Sequence, residues 1–184
     1  MRYLGVDPSL NGTGLCSITD DGSVVHLATV DPGEARSEAR LDIVERAVKS
    51  FLDQGGAVVA IEAYAYHAVG DQVFQLGEVG GVVRLLAFRS GIPYFVVNPM
   101  LLKKFATGSS SAEKDDMIAA AKALGARPGD DNQADAFFLA RVALVSARPT
   151  ATKFRRELEV VHRLRNPPPK KNPRRVRRLV PNAL

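Results

Sequence analysis

Three acids in this chain stand where short apolar runs end: Asp7 in Leu-Gly-Val-Asp, Glu62 in Val-Val-Ala-Ile-Glu and Asp135 in Asn-Gln-Ala-Asp-Ala. A short apolar run reads as a buried strand, and its last residue is where the strand meets solvent. Carboxylates collected at such ends are hard oxygen donors, the set that holds divalent cations. A carboxylate cage for divalent metal, and hence an enzyme, is what these residues point to.

The elements that must position them follow from periodicity. Residues 2–6, 13–19 and 24–30 are short β-rich runs separated by Pro/Asn/Gly and Asp-Asp-Gly turn signals, which suits an antiparallel meander. Over 34–52, apolar residues at 35, 39, 43, 47 and 51, widened by 44, 48 and 52, predict an amphipathic helix. Gly55-Gly56 ends it, and 57–61 is a continuous apolar run of the kind found in a central strand covered on both faces. A helix over 71–89 leads to a strand at 94–97. Ser111 is expected to cap a helix running to 124, and Asp130 or Asp131 another to about 147. This order predicts an α/β layered fold on a mixed sheet, with the first and fourth strands side by side so that Asp7 meets Glu62. A helix starting near Asp131 can bring Asp135 to the same point, with Asn132 on its face and Asp131 close beside it.

Composition bounds the rest. The chain has 184 residues, 46% of them hydrophobic, enough for one core, so disorder throughout is excluded. The single cysteine, Cys16, excludes an internal disulfide framework and a Cys-rich zinc site, and fits a reducing, cytoplasmic setting. No signal-like opening and no unbroken apolar stretch of membrane length is present, so neither export nor a membrane is expected. Charge is divided unevenly. Residues 148–184 carry 12 Lys/Arg against 2 acids, whereas 1–147 carry 13 Lys/Arg against 18 acids. The reading is an acidic body, 1–147, and a basic Pro-rich tail, 148–184, partly extended or disordered, whose partner is a polyanion.

At these residues the chain resembles the RuvC-type Holliday junction resolvases of the ribonuclease H-like superfamily, in a phage or mobile-element version. The matching stretches are Gly5-Val6-Asp7-Pro8-Ser9 with Thr13-Gly14, Ala60-Ile61-Glu62, Gly77 to Gly81, Gly108 through Ser111-Ala112-Glu113-Lys114, and Ala134-Asp135-Ala136. The likeness covers 1–147 and leaves the tail outside. It implies a five-stranded mixed sheet, its first three strands antiparallel, with helices on both faces. It also implies a homodimer that nicks the two symmetric strands of a four-way junction, leaving 5′-phosphate ends, and no small-molecule cofactor. By this resemblance Asp7, Glu62 and Asp135 are catalytic and hold two magnesium ions, manganese being a substitute.

One position departs from the family pattern. Asn132 stands where a further acid or histidine is usual, so the fourth ligand is either Asn132 or the neighbouring Asp131. Lys103 and Lys114 fall where the resemblance places lysines near junction phosphates. Tyr64 and Tyr66 flank the place of an aromatic that stacks on unpaired bases, and packing on the second helix is an equal account of them. Gly77 to Gly81 sit inside that helix, where each glycine costs about 1 kcal/mol against alanine. Either dimer contact or packing on the chain's own sheet would offset that. Competing functions are a broader flap and fork nuclease and a non-catalytic DNA-binding protein. The Asp7 to Gly14 loop also resembles the phosphate loop of the actin and sugar-kinase ATPases, whose second domain this length leaves no room for.

Overall fold

The computed structural model describes residues 1–64 and 70–167. Five strands form one sheet: β1 (Arg2–Asp7), β2 (Thr13–Thr19), β3 (Val24–Val30), β4 (Val58–Glu62) and β5 (Tyr94–Val97). Their order is β3-β2-β1-β4-β5, with the first three antiparallel and β4 and β5 parallel to β1. The expected meander and the pairing of the first with the fourth strand are both present.

Strand alternation decides which side each acid faces. On β1, Leu4 and Val6 enter one core, with the helices α1 (Ser37–Asp53) and α2 (Asp71–Arg89). Tyr3 enters the other, with α3 (Pro99–Thr107), α4 (Lys114–Ala123), α5 (Asp131–Ala147) and α6 (Arg155–Arg165). Asp7 shares the parity of Tyr3. On β4, Ala60 lies in that second core while Val59 and Ile61 lie in the first, so Glu62 faces the same way as Asp7.

The central helix, α5, has ten buried residues spread around its circumference, as expected of a helix enclosed by other elements. It lies directly on the strands because two glycines permit it. A Cβ at Gly5 would stand 2.0 Å from the Ala136 carbonyl oxygen and 2.4 Å from the Ala140 nitrogen, and one at Gly14 would stand 2.2 Å from the Asn132 carbonyl oxygen. Those are backbone atoms, which cannot swing aside.

Three expectations need correction. Helix α1 begins at Ser37, not at 34. Two helices were expected after the last strand, but α3 precedes them; Asn98 caps it, its Oδ1 accepting from the Met100 N–H at 2.9 Å, and Pro99 takes the first turn, where its missing donor costs nothing. Helix α4 is capped by Glu113 in a reciprocal capping box with Asp116, rather than by Ser111.

The folded body also does not stop at 147. A 3-10 turn at Pro149–Ala151 leads to α6, whose Val160 and Val161 are buried. Glu157 is fully buried and receives two hydrogen bonds from Arg141 on α5, Nε to Oε1 at 2.8 Å and Nη2 to Oε2 at 3.0 Å. The Arg156 guanidinium donates to the carbonyls of Phe105 and Ala106 at the end of α3, where helical carbonyls lack partners. The remaining tail, 168–184, lies outside the described residues. We expect Glu157→Ala to destabilise the protein by about 3–5 kcal/mol in denaturant titration, because Arg141 is then left buried without its partner. Truncation after residue 147 should likewise unfold the chain.

Candidate active site

Asp7 and Glu62 are brought together by register. Val6 pairs with Ile61 across the parallel β1 and β4, so the next residue on each strand is one of the two acids, at adjacent strand ends. The turn after Asp7 is tied by Thr13, which is fully buried and whose hydroxyl donates to the Ser9 carbonyl at 3.3 Å. Helix α5 supplies the third acid from its second turn.

Two contacts fix where that helix starts. Asp130 caps it, its Oδ1 accepting from the Gln133 N–H at 2.8 Å. Its other oxygen accepts from the Thr29 hydroxyl on β3 at 2.6 Å, which pins the helix start to the strand pair beside the site. Nothing in the sequence signals Thr29, which lies 101 residues from its partner. Of the two alternatives for the cap, Asp130 has the role, leaving Asp131 in the first turn with its carboxylate turned to Lys114 in an ion pair.

A cavity of about 240 Å³ is lined by Asp7, Glu62, Asp131, Asn132, Lys114 and Tyr64, together with Pro8, Ser9, Ala63 and Leu76. Asp135 belongs to the same charge cluster. Burial, then the Glu62 carboxylate, then Asp131 and Asp130 push the Asp7 carboxyl well above the usual range. Glu62 is raised to about 7, by burial first and by Asp135, against the pull of Lys103. Asp135 is raised to about 8, by burial, Asp7 and Asp131, against Lys103 and Lys114. Both sequence-predicted lysines therefore act on the acids. Lys114 does so from α4's first residue and Lys103 from α3.

Tyr64 both lines the cavity and packs on α2. Its hydroxyl donates to the Gly77 carbonyl at 3.1 Å, and the Arg84 guanidinium lies 4.5 Å from its ring centre. A Cβ at Gly80 would meet the ring at 2.4 Å, so this glycine makes room for the tyrosine. Tyr66 lies outside the described residues.

The donor set fits divalent cations. All of it is hard oxygen, and three carboxylates share one region with their negative charge only partly offset by two lysines. Among the described residues, no three acidic, His or Cys side chains are drawn into closed ligating geometry.

A pH dependence follows. The folded protein holds protons on Asp7, Glu62 and Asp135 at pH values where the unfolded chain, with carboxyls near 4, has lost them. Folding then takes up protons, so the stability of the metal-free protein should fall as pH rises from about 4 through about 8. The check is melting temperature in chelator across that range. Asp135→Asn should flatten the decline, and a rise in stability over the window would contradict the proposed cause.

With this geometry in view, comparison with known proteins is specific. The family model described as crossover junction endodeoxyribonuclease RuvC matches residues 3–143. A crossover junction endodeoxyribonuclease RuvC of Rhodococcus opacus is 36% identical over 151 residues, covering 76% of this chain and 79% of the relative. Its counterpart in Frankia casuarinae is 32% identical over 165 residues, covering 84% and 95%. Among solved structures, Thermus thermophilus RuvC in complex with Holliday junction substrate shares the fold with a TM-score of 0.69, at 22% identity, over 82% of this chain and 95% of that one. A matched model spanning most of the chain and relatives above 30% identity place this protein in the RuvC family of crossover junction endodeoxyribonucleases.

Proposed function

We propose that the chain resolves four-way DNA junctions by hydrolysing a phosphodiester bond in each of two symmetric strands, leaving 5′-phosphate ends. The observation that carries this reading is the convergence of Asp7 and Glu62 on one cavity wall with Asp135 in the same charge cluster, in a chain of the RuvC family. Divalent-metal-dependent hydrolysis is the chemistry of that family. Two magnesium ions, with manganese as a substitute, would supply activation of the attacking water and stabilisation of the leaving 3′ oxygen.

The chain's own groups have separate tasks. Asp7, whose charge acts on Asp135 and which faces Glu62, would hold the metal ions together with Glu62 and Asp135. Asn132 offers a neutral oxygen and Asp131 the additional charge. Lys114 and Lys103, whose charges act on Asp135, take the phosphates of the bound strand. Among the described residues no helix is long and apolar enough to cross a membrane, and the buried, unpaired Cys16 thiol supports a reducing, cytoplasmic setting.

Symmetric nicking needs two sites, and α2 offers the surface for a second copy. Phe74 and Phe88 are 73% and 71% exposed, and Leu85 is also exposed. Gly77 and Gly81 complete the stripe at helical spacing, with open space where a Cβ would stand. Two of the three glycines in this stretch are thus free of the chain's own core, and only Gly80 is used internally. An isologous pairing of this face gives a two-fold dimer.

Cleavage of a mobile four-way junction, a flap and a plain duplex in magnesium, mapped to the nucleotide, tests the reading. Paired symmetric nicks confined to the junction are expected, and equal cutting of flap and junction would favour a general branched-DNA nuclease. Asp7→Asn should abolish cleavage with junction binding retained; a fully active variant would sink the metal site. Phe74→Glu with Phe88→Glu should shift the sedimenting species from dimer to monomer, and an unchanged dimer would put the interface elsewhere.

A further inference from the structure

A second and larger groove, about 680 Å³, is bounded by α3, the end of β5 and the C-terminal end of α6. Lys104 on α3 and Arg163 on α6 both line it, and much of the remaining lining is apolar, from Val96, Met100 and Leu164. No acid lines it. Among the described residues neither cation is ion-paired with a carboxylate.

Two further observations say what the groove suits. Lys103 acts electrostatically on Glu62 and Asp135 while the next residue, Lys104, lines the groove, so α3 presents consecutive cations to the active site and to the groove. At the other end Pro167 lines the groove, and residues 168–184, which follow it in sequence, contain six Lys/Arg and no Asp or Glu. Cations on both walls of the groove, from α3 and α6, match the phosphates of a nucleic-acid backbone, and the apolar surface between them suits the sugars.

We propose that this groove is a second DNA-backbone site, which holds a duplex arm flanking the cleaved strand. It rests on the DNA substrate proposed above and adds to it a contact away from the carboxylates. Each phosphate neutralised adds close to one unit to the slope of log affinity against log salt. The groove's two side chains should therefore account for about two units per chain.

The test measures binding of the full-length chain to four-way junctions with short and with long arms, across a salt series. Lys104→Glu with Arg163→Glu should weaken long-arm binding roughly ten- to thirtyfold near physiological salt and lower the slope by about two. Short-arm binding, and cleavage at saturating junction, should be spared. Lys104→Gln with Arg163→Gln, a milder pair, should lower the slope in the same direction, with melting temperature confirming the fold of both variants. Lys49→Glu on α1, on the opposite face of the sheet, controls for net charge. Equal loss with that variant, or long-arm affinity and slope matching wild type in the groove variants, would overturn the groove. A wild-type chain that binds no junction overturns the substrate as well, whereas a binding wild type with indifferent variants overturns the groove alone.

Discussion

The close seating of α5 on β1 and β2 is the constraint on which the rest of the molecule depends. Gly5 and Gly14 bring helix backbone against strand backbone, at separations that any side chain on either residue would break. Because β1 ends in Asp7 and α5 carries Asp135, the same contact that closes the core also sets the spacing of two of the three acids. The Thr29 hydroxyl on the Asp130 cap then fixes the helix along its axis. Stability and site geometry are one interaction here, so a side chain that loosens the core also separates the carboxylates.

That seating has an electrostatic consequence. Acids at adjacent strand ends and a helix start cannot all ionise comfortably once buried, and the chain leaves the conflict standing, with Asp7, Glu62 and Asp135 all raised. A fully compensated cluster would be more stable and less useful. Lys103 and Lys114 stand near enough to moderate the repulsion, yet Lys114's own ion pair is with Asp131 at the cavity wall. Unspent negative charge of this kind is what attracts hard cations, and the lysines beside it suit the phosphates that come with them.

Much of this was legible in the sequence, because local signals and the decisive contacts coincided. Short β-rich runs between turn signals gave the sheet, apolar run ends gave Asp7 and Glu62, and three-residue helix spacing put Asn132 with Asp135. Helix α3 was missed although Asn98-Pro99 is a cap followed by a first-turn proline, since its nine residues are too few to display a period. Helix α6 was hidden by charge. Its four arginines equal its four apolar residues in number, and what anchors it is a buried Glu157 paired with Arg141, a long-range contact that no local pattern announces. Thr29 was illegible for the same reason, as was the fit of the Tyr64 ring over Gly80.

Asn132 is better understood from its surroundings than from its difference to the family. Its backbone carbonyl abuts Gly14, and a Cβ at Gly12 would stand 3.0 Å from its Nδ2, so the residue is held against the turn that follows Asp7. An acid there would add another negative charge beside three carboxyls that burial and mutual repulsion already raise. A neutral amide avoids that penalty while keeping an oxygen at the cavity. The charge it omits stands one residue earlier on Asp131, which reaches the same cavity and carries its own counter-ion in Lys114. An amide oxygen and a carboxylate that carries its own counter-ion thus stand side by side on one cavity wall.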